Sequence, residues 1–210
     1  MQKQPIPSLR ERQKEDRRSR IIAAAKKLFT ESGLDNITIE AIADIAGVSS
    51  VTVHNYYGTK SGVLLALVAE SDRALLETFS RTLVGRPDDL TELVLRFSGI
   101  ICDHTLTHLD KAIWRQVIAA SVSDSDPRFG KLYHDLDRRL AEVLVQEVER
   151  LQSAGEVARG VSAFDLGKAL FNVQNMRFIQ FISSDEVTKT EIVDLLRKDL
   201  SALFSSAPRK

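Results

Sequence analysis

Five prolines, Pro5, Pro7, Pro87, Pro127 and Pro208, leave the stretches 8–86, 88–126 and 128–207 free of proline. Proline lacks a backbone donor and clashes with the preceding turn inside a helix, so its confinement to ends and joints favours long helices. Alternating apolar and polar residues with Asn-Gly or Asp-Gly turns, the mark of hairpins, are absent. The chain therefore reads as all-α.

Local signals place the helices. The first spans about 10–32, with Ile21, Ile22, Ala25, Leu28 and Phe29 on one face and a left-handed stop at Gly33. A second runs from Thr38 to about Ala46 and stops at Gly47; a third runs from Ser49 to about Tyr57 and stops at Gly58. A fourth starts near Lys60 and ends near Val84. Further helices fall near 88–107, 110–121, 127–154, 162–182 and 187–204, with Asp126-Pro127 as N-cap and first helical residue of the third of these.

Charge divides the chain. Lys plus Arg and Asp plus Glu are each 29, yet residues 1–60 hold 10 basic and 7 acidic groups, leaving 19 basic and 22 acidic beyond them. A basic N-terminal part on a mildly acidic body suits a polyanion partner at one end. The apolar run Val63–Ala69 is too short to span a bilayer, and the first twenty residues lack the apolar core of a secretion signal. The single cysteine, Cys102, rules out an internal disulfide and fits a reducing cytoplasm.

Residues 38–57 carry the motif. Thr38 and Ser49 are spaced as N-caps, with Ile37/Ile42 and Val48/Val53 as hydrophobic staples. Ala46-Gly47-Val48 makes a tight turn between two short helices, and small Ala43 and Ala46 let their axes approach. This is a helix-turn-helix pattern whose second helix presents Ser50, Thr52, His54 and Asn55 in a form suited to a DNA major groove. A hairpin buried in an ordinary bundle would explain the staples but not the polar, aromatic-rich outer surface of so short a helix.

The segment over about 18–68 closely resembles the DNA-binding domain of the tetracycline-repressor (TetR) family of transcription regulators. The marks are Ala24, Phe29, Gly33, Thr38, Ile42-Ala43, Ala46-Gly47-Val48, Thr52, Tyr56-Tyr57, Lys60 and Leu64-Leu65. The resemblance implies a homodimer with a three-helix DNA reader at residues 1–60 and a helical ligand-binding and dimerisation domain at 61–210. Three residues depart from the family pattern: His54 for the usual tyrosine, Val51 for glycine or proline, and Gly62 for an acidic residue. On this reading Thr38, Tyr56 and Lys60 face phosphates, His54 stands where the family's tyrosine touches a phosphate, Ser50, Thr52 and Asn55 face base edges, and Ser49 completes the DNA-binding set. Tyr57 packs on the first helix. Arg10, Arg12, Lys14, Arg17, Arg18 and Arg20 form a basic arm diluted by Glu11, Glu15 and Asp16.

For the body, the resemblance places an effector cavity among the helices at 88–154. Phe97, Ile101, Trp114, Arg115, Val117, Ile118 and Tyr133 are the candidate lining, with Leu106, Phe129 and Leu136 nearby. An apolar or amphipathic effector suits such a lining. Phe164, Phe171 and Phe178 recur every seven residues, and with Gly167, Ile192 and Leu196 they form the candidate dimer seam; intramolecular core is the alternative. Gly58 and Gly62 stand where the fourth helix would pivot if an effector changed the spacing of the two readers.

His104 and His108 are four apart, a spacing that can bind zinc, but no glutamate follows His104 and Cys102 lies off their face. Neither metal nor cofactor is expected, and no nucleophile elbow or phosphate loop argues for catalysis. The leading expectation is thus a ligand-responsive repressor of a palindromic double-stranded DNA operator, cytoplasmic, with no membrane partner. The alternative is a helical small-molecule or metal-binding protein, or an enzyme, with a purely structural N-terminal hairpin.

Overall fold

The computed structural model describes residues 8–34, 36–123 and 127–205, and these form helices and loops with no strand. The chain divides into two compact units, one up to Glu70 and one from Ser71.

In the first unit, α1 (Leu9–Ser32) starts at a capping box: Ser8 Oγ accepts from the Glu11 N–H and the Glu11 carboxylate accepts from the Ser8 N–H. It stops at Gly33, whose φ of 73° is positive but whose ψ of 164° is extended rather than left-handed helical. Helices α2 (Ile39–Ala46) and α3 (Ser50–Tyr57) are capped by Thr38 Oγ1, accepting from the Ala41 N–H, and Ser49 Oγ, accepting from the Thr52 N–H. Gly47, at φ 63° and ψ 42°, makes the left-handed turn between them. Ile21, Ala25, Phe29, Ile42, Val53, Val63 and Leu64 build this unit's core.

Helix α4 (Lys60–Thr82) contributes its first turns to this unit, so the boundary falls inside α4 rather than at the expected 60/61. Gly62 explains the close fit. A Cβ there would lie 2.0 Å from the Tyr57 carbonyl oxygen. The abutment of α4 on the end of α3 leaves no room for a side chain at this position.

The second unit holds α5 (Leu90–His108), α6 (Asp110–Val122), α7 (Pro127–Ala154), α8 (Ala163–Ser183) and α9 (Lys189–Ser205). Pro127 opens α7 as expected; its expected cap, Asp126, lies outside the described residues. A single residue, Leu109, separates α5 from α6, and Asp110 takes a positive φ of 44° to turn the chain. Helices α7 and α8 pack closely because Gly167 has no side chain: a Cβ there would lie 2.7 Å from Val145 Cα. Buried Glu147 accepts from the Gly85 N–H and from Arg150, whose guanidinium also donates to the Pro87 carbonyl, so one carboxylate pins the loop before α5.

Candidate nucleic-acid interface and body cavity

Helix α3 buries only Val53 and turns its other face outward. His54 and Asn55 are exposed; Ser50, Thr52 and Tyr56 are half-buried. Val51, noted in the sequence only as a departure from the family pattern and not as a DNA contact, is 64% exposed in the first turn of α3. An apolar side chain there matches a thymine methyl. Its signal was available in the motif, as a bulky residue where the pattern has a small one.

Hydrogen bonds assign some hydroxyls. Ser49 Oγ caps α3 and lies 2.9 Å from Thr52 Oγ1, so both are engaged with each other. Exposed Thr38 accepts from the Ala41 N–H, leaving its hydroxyl hydrogen to donate. His54 Nδ1 lies 2.8 Å from the Gly58 carbonyl oxygen. A carbonyl only accepts, so Nδ1 carries the hydrogen, which leaves Nε2 to face outward contacts. Lys60 stands at the first position of α4. Tyr57 is half-buried and hydrogen-bonds Arg18 of α1, and burial pushes its phenol above the usual range.

The basic arm is, over residues 9–20, an ordered stretch of α1. Its charges are partly spent locally: Arg18 pairs with Glu15 and Arg20 with Asp16. Arg20 also donates to the Ala46 carbonyl at 2.9 Å, satisfying an end-of-helix oxygen of α2. Arg20 is therefore a positioning residue for the turn rather than a member of a free arm.

In the body, a cavity of about 20 Å³ is lined by Ile101, His104, Trp114, Tyr133, Leu136, Asp137, Phe171, Gln174, Asn175 and Phe178, with Leu75, Thr105 and Leu140. Three of the seven candidate lining residues, Ile101, Trp114 and Tyr133, are in its wall. The others are elsewhere. Phe97 is stacked on Phe79 at 4.6 Å and meets the edge of Phe171. Val117 is core, and Ile118 is half-buried outside the wall. Arg115 donates to the Ile182 carbonyl and pairs with Asp185, tying α6 to the end of α8. Leu106 is 55% exposed.

The sequence reading missed Asp137, Gln174 and Asn175 in the cavity wall. Asn175 Nδ2 lies 3.4 Å from both the Tyr133 hydroxyl and an Asp137 oxygen. Burial pushes the Asp137 carboxyl up to about 7 and the Tyr133 phenol up to about 12. Trp114 Nε1 and both amide atoms of Gln174 are buried without a hydrogen-bond partner. Gln174 did carry a signal, as an amide inside the phenylalanine seam; Asp137 carried none among the acidic residues around it.

The rings of His104 and His108 stack face to face at 3.8 Å, and His104 Nε2 lies 2.9 Å from Ser71 Oγ. No group of three or more potential ligands occurs among the described residues. Burial pushes the lone thiol, Cys102, up to about 12.

The candidate dimer seam requires correction. Phe171, Phe178, Ile192 and Leu196 are 4%, 6%, 1% and 0% exposed within one chain, leaving no surface for a second copy. Gly167 is covered by Val145. Of the six, only Phe164 is exposed, over the groove between α7 and α8. Besides Phe164, the outward large apolar side chains on the last two helices are Met176 and Leu203. No described helix is long and apolar enough to cross a membrane.

Comparison with known proteins agrees with this arrangement. The family model for bacterial regulatory proteins, tetR family, matches residues 21–67. The HTH-type transcriptional regulator BetI of Stenotrophomonas maltophilia is 30% identical over 151 residues, covering 70% of this chain and 76% of that one. The fatty acid metabolism regulator protein of Bacillus subtilis is 25% identical over 93% of each chain. Among solved structures, a transcriptional regulator from Saccharomonospora viridis in complex with choline aligns at TM-score 0.67 and 22% identity over 92% of this chain and 97% of that one. A TetR-family regulator from Pectobacterium atrosepticum aligns at TM-score 0.71 and 17% identity over 97% of this chain and 100% of that one. These two structures show the shared fold. The match across the reader and the identity that extends into the body together make the chain a member of the tetR family of bacterial regulatory proteins, DNA-binding regulators of transcription.

Proposed function

We propose that this regulator is a repressor that binds a palindromic operator as a homodimer and is released by a small organic effector held in the body cavity. The outward face of α3 carries the proposal: Val51, His54 and Asn55 project from a helix whose ends are capped and whose preceding turn is held by Arg20. A two-fold dimer presents two such helices, which meets successive major grooves only if their spacing matches about one helical turn of DNA, roughly 34 Å.

The dimer surface proposed is the outer face of α8 and α9. Arg177 and Asp199 form a bidentate ion pair that ties α8 to α9, the helices that carry the exposed Met176 and Leu203. Effector control needs the ligand to prefer one reader spacing over another. Helix α4 supports that coupling: it runs unbroken from Lys60 past Ser71, whose hydroxyl is bonded to His104 in the cavity wall.

Fluorescence anisotropy with duplexes from the DNA upstream of the gene tests the reading. Asn55→Ala is expected to cost about 1–3 kcal/mol on the specific site with little change on unrelated duplex. Lys60→Ala should weaken both alike and lower the salt slope by about one. Equal affinity of the wild type for all duplexes would refute the operator reading.

A further inference from the structure

We propose that the body cavity takes a compact organic cation, with Asp137 as its counter-charge and the rings of Trp114, Tyr133 and Phe178 as its walls. The proposal rests on the reading of the body as effector-binding and names the effector's chemistry.

The wall composition comes first. Four aromatic residues, Trp114, Tyr133, Phe171 and Phe178, line the cavity, and no lysine or arginine does. Trp114 and Phe178 meet edge to face at 5.6 Å, an arrangement that sets two ring surfaces at right angles. Ring faces attract cations through their quadrupole, and desolvated cages of such rings hold alkylammonium groups.

Asp137 supplies the charge. Among the described residues its hydrogen bond is the long contact from Asn175, and no ion pair to a basic side chain is seen. The groove beside the cavity does carry two cations, Arg138 and Lys168, together with Glu142, but Arg138 pairs with Asp135 and Lys168 sits over the Phe164 ring. Burial without a counter-ion disfavours the carboxylate, so a ligand cation restores what the protein leaves unmatched. An anionic ligand would face this carboxylate, and a neutral one would leave it unpaired.

The unpaired polar atoms are the independent second observation. Gln174 is 1% exposed with both amide atoms unbonded, and Trp114 Nε1 is buried without an acceptor. Gln174 can turn its carbonyl oxygen to an ammonium group, and the indole N–H can donate to an oxygen on the same ligand.

Size and access follow from the neighbouring void. The cavity itself, about 20 Å³, has room for about one water. A groove of about 420 Å³ between α7 and α8 shares Asp137 and Phe171 with it. Asp137 and Phe171 thus belong to both walls, and a ligand larger than one water requires the two voids to be joined by a movement of Phe171.

Trp114, the only tryptophan, reports on the site by fluorescence. The probes are tetramethylammonium, tert-butanol and pivalate, of similar bulk and charge plus one, zero and minus one. The full-length protein is expected to bind tetramethylammonium at least about tenfold more tightly than either other probe, and Asp137→Asn should abolish that preference. Circular dichroism checks that the variant is folded; if it is not, the ranking of the three probes on the wild type decides alone. Equal or tighter binding of tert-butanol or pivalate, or no saturable signal with tetramethylammonium, overturns the cation site while leaving DNA binding and effector control intact. Loss of specific DNA binding in the anisotropy assay would instead overturn the regulator reading, with the probe ranking still deciding the cation site.

Discussion

Replacing Gly62 with alanine probes the joint between α3 and α4. The added Cβ would lie 2.0 Å from the Tyr57 carbonyl oxygen and 3.1 Å from its carbon. An ordinary carbon–oxygen contact is about 3.4 Å, so one element must retreat by roughly 1.4 Å. The obstacle is backbone, which cannot rotate aside as a side chain would. Overpacking of this kind costs about 1–3 kcal/mol, occasionally more. Against it stands alanine's helix preference over glycine, less than about 1 kcal/mol in a first turn. The net expectation is a loss of about 1–2 kcal/mol. Gly130→Ala in α7 is the matched control: its Cβ would meet only the Ser121 carbonyl oxygen at 3.6 Å, so the preference should win and stability should rise by up to about 1 kcal/mol. Urea denaturation followed by circular dichroism measures both. Because α3 carries the reading face, Gly62→Ala should also weaken specific DNA binding in anisotropy. If Gly62→Ala is as stable as Gly130→Ala and binds DNA normally, the close abutment is not what selects glycine.

Arg20→Ala should cost about 1 kcal/mol, because it uncaps the Ala46 carbonyl, and should reduce specific DNA affinity more than nonspecific affinity; equal losses on both duplexes would return Arg20 to a phosphate role. Met176→Glu combined with Leu203→Glu should give monomers by sedimentation with helicity retained, since both side chains are exposed in the single chain; a persistent dimer would place the interface elsewhere. Asp137 rises from 3.8 to about 7 on folding, so between those values the folded chain holds a proton that the unfolded chain has lost. Stability should fall as pH rises through that window and level off above it. Asp72 shifts in the same direction by burial, despite Arg139 beside it. Asp137→Asn should flatten the pH dependence of the urea midpoint, and an unchanged slope would show that Asp137 is not the titrating group.

The parts legible in the sequence are those set within a turn or two of chain. Helices and their ends could be read because caps such as Thr38 to Ala41 and Ser49 to Thr52 join residues three apart, and because proline and glycine act on their own backbone. The helix-turn-helix followed from the same local signals. Tertiary structure decided the rest. The seven-residue recurrence of Phe164, Phe171 and Phe178 is the same pattern whether the partner is another helix or another subunit, and only packing assigned the last two to the chain's own core. Arg20 read as one basic residue among six until it met Ala46, 26 positions away. Asp137 resembled its acidic neighbours in sequence; burial beside Asn175, 38 positions on, separated it from them. Local pattern specifies which elements form, whereas the burial that gives a charge or an amide its chemistry exists only once distant segments have packed around it.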